Sequence, residues 1–508
     1  MSERMLIVSD LHLNVGLDTA TLTYDRRENF LADAAFTAWL VHYRGEAEAR
    51  GTAPGTLVIA GDAFDFIRID TWPESEDDYR RWARALHALG ETERAERLER
   101  LAPIPPKERR RHPDAVVSKR EERFGLKTSD YKTIWKLLEI VTGHEPVFEA
   151  LARWIEEDGR IVFLKGNHDL ELHWPLVRQA IRHTLARRAG LDPDAARERI
   201  SFEEESFLFD NVYVEHGHRW EAMTAVHTDT PWLPQAPDQI SLPLGSFVNR
   251  YLINGIERLD PFVDNVKPVG NAFTALLRRY PLEMFKLYFR GWAFLRRALR
   301  VKGLFNSIGS AIQILALVLV PMTALLIGVA FLVGEIVPDA RLAALPDWLA
   351  ATLVWLGSVP GWLLGISVAG LSLPVLFPII APILSEIARF LGLTGKNHLL
   401  EGAEKVGRHV FPDDEARDTD ARIIPSYVVM GHSHWQEVRR LGGRRIYMNS
   451  GTWVPIWPRD RQDIVGQVYY GFLEFTRPRP DDPWEGRPMQ WNDDAREPRP
   501  SRLMSPLE

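Results

Sequence analysis

Short apolar runs, each closed by a polar or glycine residue, recur along the first half of the chain at 5–9, 57–60, 161–164 and 212–214. Such short continuous runs, β-branched in part, suit strands buried on both faces of an α/β sheet. Between them, segments such as 131–155 place apolar residues at helical spacing. An α/β layered fold follows. A later run at 428–430 breaks at Gly431. Two longer stretches, 303–334 and 348–385, contain no charged residue. Each exceeds the roughly 20 residues needed to cross a hydrocarbon core, so two membrane segments are expected. Pro360, Pro374, Pro378 and Pro382 fall in the second stretch, part of which is therefore expected to kink or to lie at the interface.

The residues that close the short runs share one chemistry. SDLH places Asp10 and His12 after the first run, and GDAFD places Asp62 and Asp65 after the second. GNHD supplies Asn167, His168 and Asp169, EHGH supplies His216 and His218, and GHSH supplies His432 and His434. In open α/β sheets ligands bind beyond the carboxyl ends of the strands, so these five clusters are expected to converge. Taken singly, each also reads as a turn or a helix cap. Asp169, His218 and Asp210 read as structural, and His42, His87, His144, His173 and His183 as ordinary residues.

Composition narrows the chemistry. The chain has 508 residues and a net charge of −7, with an isoelectric point near 6.1, so global basicity does not point to nucleic acid. It contains no cysteine. Disulfides, thiolate nucleophiles and cysteine zinc sites are excluded together, and any metal must be held by His, Asp, Glu and Asn. The start, MSERMLIVSD, offers about five apolar residues before an aspartate, short of a signal-peptide core. A cytoplasmic start is expected.

As a set, D-x-H, G-D-x-x-D, G-N-H-D, H and G-H-x-H resemble the calcineurin-like metallophosphoesterase family. The resemblance implies a four-layer fold, two mixed β-sheets flanked by helices, with a two-metal centre. Carried over by position, one ion is held by Asp10, His12, Asp62 and His434, and the second by Asp62, Asn167, His216 and His432, with Asp62 bridging. His168 is implied as the proton donor to the leaving oxygen, oriented by Asp65. A shared carboxylate lowers the repulsion between two cations, and such pairs activate water and neutralise phosphate oxygens. Imidazole, carboxylate and amide together suit Mn, Fe or Zn.

Departures from relatives bear on the substrate. Protein phosphatases of this superfamily extend G-D-x-x-D into a phosphate-gripping arginine, whereas Phe66 follows Asp65 here, which argues against phosphoprotein. The branch acting on UDP-2,3-diacylglucosamine typically has arginine at the position of His168, which puts an identical reaction in doubt.

The flanking charge sets an orientation. Arg279, Lys286, Arg290, Arg296, Arg297 and Arg300 precede the first uncharged stretch, while the connector 335–347 carries only Arg341 against three acids. Positive charge stays inside, so the catalytic portion is expected to face the cytoplasm from the inner membrane. The stretch 282–300 mixes aromatic and basic residues at helical spacing and reads as a helix on anionic headgroups, or as one packing on the catalytic domain.

The expected organisation is a core at 1–68, 146–230 and 391–477, and a helical insertion at 69–145 that is either a substrate-selecting cap or a solvated hairpin. A basic region at 231–302, a transmembrane hairpin at 303–390 and a disordered tail at 478–508 complete it. The function expected is a metal-dependent phosphoesterase acting on a phosphorylated small molecule or lipid, with membrane lipids as partners and no nucleic acid. The alternative is a non-catalytic membrane scaffold or transporter component that retains the metal position.

Overall fold

The computed structural model describes residues 3–254 and 398–501, save 19, 26, 222–223, 227–231, 234–235, 244, 247–248, 413–424 and 457–467. Chain contacts group residues 1–274 and 397–508 into one unit and residues 275–396 into another, and all the described residues belong to the first. The uncharged stretches 303–334 and 348–385 and the basic stretch 282–300 lie outside the described residues. Among the described residues no helix is long and apolar enough to cross a membrane.

The first unit is mixed α/β, with two mixed sheets. A seven-stranded sheet runs in the order Glu497–Pro500, Glu485–Asn492, Gly471–Arg477, Glu3–Val8, Thr56–Ala60, Arg160–Leu164, Ile200–Glu203. Its last four strands are parallel, and Glu3–Val8 pairs antiparallel with Gly471–Arg477, Met5 opposite Phe475. A five-stranded sheet runs Gln436–Arg440, Arg445–Ser450, Ser426–Met430, Val212–Glu215, Ser206–Phe209. Its three inner strands are parallel.

Alternate residues of each strand face opposite layers. Met5, Ile7, Val58, Ala60, Val162 and Leu164 pack against Val212, Val214, Val429 and Met448 between the sheets. The intervening Leu6, Val8, Leu57, Ile59, Ile161 and Phe163 join a cluster with the helices Asp33–Arg50, Glu145–Glu156 and Pro175–Ala189, including Trp39, Trp154 and Ile181. On the far face of the second sheet, the helix His398–Val410 buries Leu399, Ala403 and Val406 on Val428, Met430 and Tyr447. Both faces of the central strands are apolar, which is why they read as unbroken runs. Each fully buried Leu, Ile or Phe contributes about 1.5–3 kcal/mol.

The insertion at 69–145 joins the main core. Ser75 caps the helix Glu76–Ala88, accepting from the Asp78 amide (3.1 Å) while the Asp78 carboxylate accepts from the Ser75 amide (2.9 Å). Tyr79, Trp82, Ala83 and Leu86 then form its buried stripe, facing Leu98 and Leu101 of the helix Thr92–Leu101 in the same cluster as the first sheet. The helical pattern at 131–155 divides into Asp130–Gly143 and Glu145–Glu156. Gly143, at the end of the first, is required by close approach, because a Cβ there would stand 1.7 Å from the Val15 carbonyl oxygen. Pro146 starts the next helix where its missing N–H costs nothing.

The tail departs from expectation. Residues 485–492 and 497–500 are strands of the first sheet, and Trp484, Met489 and Trp491 are buried in the cores. Proline and mixed charge read as disorder, but the apolar residues among them supply enough burial to order the segment.

Candidate metal centre

Five parallel strands end at the same edge of the two sheets, and each delivers one cluster: Asp10 and His12, Asp62 and Asp65, Asn167 and His168, His216, and His432 and His434. The turns are tight. Asp10, His12, Asp62, His432 and His434 have φ of 55°, 52°, 51°, 67° and 64°. Left-handed backbone in non-glycine residues costs about 1 kcal/mol or more each and persists where surrounding structure imposes it. Two motif glycines are required by close approach. A Cβ on Gly166 would lie 2.0 Å from Asp62 Oδ1, and one on Gly431 would lie 2.6 Å from Asp10 Oδ2.

Among the described residues three groups of potential donors result, one of them His12, Asp65 and His168, and the other two border Asp62. In the first of these two, His12 Nε2 stands 3.2 Å from His434 Nε2, and Asp10 Oδ1 lies 3.4 Å from His434 Nε2 and 3.8 Å from His12 Nε2. Asp10 Oδ1 is buried and makes no hydrogen bond. In the second, His216 Nε2 is 3.2 Å from Asn167 Oδ1 and 3.2 Å from Asp62 Oδ2, with His432 in the same group. Asp62 Oδ2 also lies 3.8 Å from His12 Nε2, so one oxygen borders both sets. Its partner Oδ1 is occupied, accepting from the His168 amide at 2.8 Å.

Atoms that bind one cation at about 2.0–2.2 Å stand roughly 3–3.5 Å from each other; the spacings above match except the two from His12 Nε2 to Asp10 and Asp62, which are 3.8 Å. The donor set is hard-to-intermediate in character, nitrogen and oxygen without sulfur, which suits a divalent cation such as Mn, Fe or Zn. Burial argues the same way. Asp10, Asp62 and Asp65 are all at most 1% exposed, and clustered carboxylates without compensating positive charge are costly in an interior.

In the protein alone the histidines supply that compensation. Burial works against ionisation of Asp62, but His216 and His168 outweigh it and hold its pKa well below the usual value. Asp10 is lowered likewise, against burial, by His434 and His216. Reciprocally, and against burial, Asp62 raises His216 to about 10.

Asp65 is a junction. Its Oδ1 lies 3.0 Å from His168 Nδ1, and its Oδ2 lies 3.5 Å from His12 Nδ1 and 3.1 Å from Arg68 Nε. Burial opposes its charge, but His168 and Arg68 keep its pKa below the carboxylate range. His168 is raised to about 9, burial being outweighed by Asp65 and Asp62. One carboxylate therefore orients both a prospective ligand and the adjoining histidine.

Several participants escape sequence reasoning. Arg68, buried, stands against Asp65, two positions beyond Phe66. Glu221 contacts His432 Nε2 at 2.7 Å. The strand Arg445–Ser450 ends in NSGT, where Ser450 Oγ meets Ser9 Oγ (2.7 Å), Thr452 Oγ1 donates to the Asp10 carbonyl (2.6 Å) and Asn449 Nδ2 donates to the Gly431 carbonyl (2.6 Å). The run IYM before NSGT carried the same strand-then-polar signal as the other five.

Asp169, Asp210 and His218 read as structural in the sequence. Asp169 accepts from the Ala63 amide (2.8 Å) and the Gly166 amide (2.6 Å), joining two of the turns, and burial with the Asp62 charge raises it to about 7. Asp210 pairs with Arg477 at 2.7 Å. His218 is lowered well below its usual pKa by burial and by His216 and His432. His144 is not ordinary: it is fully buried between Asp33 (2.8 Å) and Glu28 (3.1 Å).

No protein-family model, curated protein or solved structure matches the chain.

Proposed function

We propose that the chain is a metal-dependent phosphoesterase of the calcineurin-like kind, acting at a cytoplasmic membrane face on an amphiphilic phosphate ester or diphosphate, lipid-linked or nucleotide. One observation carries the reading: Asp62 Oδ2 stands between two sets of donors, and beside them His168 is held on Asp65. Asp65 also stands beside the ligand His12, but a position that only bound metal would have no need of His168. The membrane part rests on the uncharged stretches 303–334 and 348–385 and the basic stretch before them.

Asp10, His12, Asp62 and His434 would hold one divalent cation, and Asp62, Asn167, His216 and His432 a second. Such a pair supplies Lewis acidity toward phosphate oxygens and lowers the pKa of water. The protein's own part is positioning and proton supply. Asp65 takes the Nδ1 side of His168, leaving Nε2 to donate a proton to the departing oxygen. Arg68 holds the Asp65 carboxylate from the opposite side, where it serves orientation and not phosphate binding.

The deciding experiment is turnover of bis-p-nitrophenyl phosphate and p-nitrophenyl phosphate with added Mn²⁺, beside metal analysis of the same preparation. Turnover is expected, and its preference separates diester from monoester chemistry. Protein that holds two ions and turns over neither compound, nor phosphorylated lipids or nucleotides, is a scaffold.

A further inference from the structure

The loop that carries His216 does not end its contribution there. His216 closes the strand Val212–Glu215, a short 3-10 turn at His218–Trp220 follows, and Glu221 comes next. Its carboxylate Oε2 lies 2.7 Å from Nε2 of His432, a residue from the far end of the chain. Thr224 Oγ1 lies 3.3 Å from the same nitrogen.

The hydrogen-bond directions are fixed by the partners. Thr224 Oγ1 donates to the His218 carbonyl at 2.8 Å, so toward His432 its oxygen accepts. An ionised carboxylate can only accept. Both neighbours of Nε2 therefore require an N–H, and the lone pair of a neutral His432 ring is left on Nδ1.

We infer that Glu221 is a positioning residue for the second cation: it fixes the ring and tautomer of His432 so that Nδ1 is the ligating atom. The inference rests on the phosphoesterase reading for its two-cation centre. It also matches how the other ligand rings are held. His216 presents its Nδ1 to the Ala60 carbonyl at 2.9 Å, leaving Nε2 toward Asp62 and Asn167, and His12 has Asp65 beside its Nδ1. Outer partners of this kind fix ligand orientation, and their loss typically costs 10–100-fold in metal affinity. His216 and Glu221, five positions apart, thus supply one histidine of the second position and the clamp for the other.

The test uses the full chain, stripped of metal and titrated with Zn²⁺ by calorimetry, with metal analysis of the product. Wild type is expected to take two ions. Glu221→Ala is expected to weaken one of the two sites by about 10–100-fold and leave the other unchanged, with Glu221→Gln, which keeps an accepting oxygen, recovering part of the loss. Nitrogen-15 NMR of the zinc-loaded wild type should show His432 protonated at Nε2 and metal-bound at Nδ1. Two ions in wild type with unchanged affinities in Glu221→Ala, or an ion on Nε2 of His432, overturns the inference and leaves the phosphoesterase reading standing. Wild type that takes up no ion overturns both.

Discussion

His12 and His434, separated by 422 positions in the chain, face one another with their Nε2 atoms 3.2 Å apart. Two imidazole nitrogens brought to that distance beside the buried Asp10 carboxylate are placed to share a cation. His434→Ala is expected to lower bound metal from two ions to one per chain, and Asp62→Ala, which removes the oxygen bordering both sets, to lower it to none. Metal analysis after gel filtration reads both. Equal stoichiometry in the two variants would contradict the division.

His168 lies beside the donors without belonging to the two sets that border Asp62 Oδ2. His168→Ala is expected to reduce kcat by about 10²–10⁴-fold with metal content unchanged. The loss should be smaller for p-nitrophenyl esters, whose leaving group needs little protonation, than for alkyl esters. A uniform loss across leaving groups would assign His168 a different task.

Because Asp65 touches both His12 and His168, Asp65→Asn is expected to act twice. Turnover should fall as in His168→Ala, and affinity for one ion should fall as well, about 10–100-fold. Titration calorimetry on the two variants separates them: unchanged metal affinity in Asp65→Asn would restrict its role to His168.

His144 gives the fold a pH dependence away from the donors. Burial would lower its pKa, but Glu28 and Asp33 outweigh it and raise it from 6.5 to about 9. The folded state binds this proton more tightly than the unfolded state. The stabilisation is therefore complete below about pH 6.5 and disappears as pH rises through 9, amounting to a few kcal/mol at most. Urea midpoints of wild type should fall more steeply between pH 7 and pH 10 than those of His144→Gln. Parallel curves would remove the assignment.

The C-terminal strands are part of the core, and Trp491 is 2% exposed. Trp491→Ala is expected to cost about 3–5 kcal/mol in denaturant unfolding. A change under about 0.5 kcal/mol, the range of ordinary surface substitutions, would mean that the strand 485–492 contributes little to the folded state.

The central strands were legible because both their faces are apolar, so Leu57 to Ala60 and Ile161 to Leu164 appear as runs whose ends are easy to find. The donors were legible for the same reason, since they lie among the few residues that follow the ends of those runs. Partners that meet them only through space were not. Nothing local marks Glu221 as the neighbour of His432, or Arg68 as the neighbour of Asp65. His144 lacked a motif, and only burial between two acids singles it out. The tail misled because proline reads as a breaker, yet Pro498 and Pro500 lie on an edge strand, where a missing N–H is tolerated.

The pairing of Met5 with Phe475 has a kinetic consequence. At typical synthesis rates of 5–20 residues per second, Phe475 is added roughly 25–95 s after Met5. Through that interval the ribosome presents a first strand with one edge open, and Asp10 without His434. The pocket becomes able to hold its cations only once His434 has been added, and the sheet closes only once Phe475 has followed.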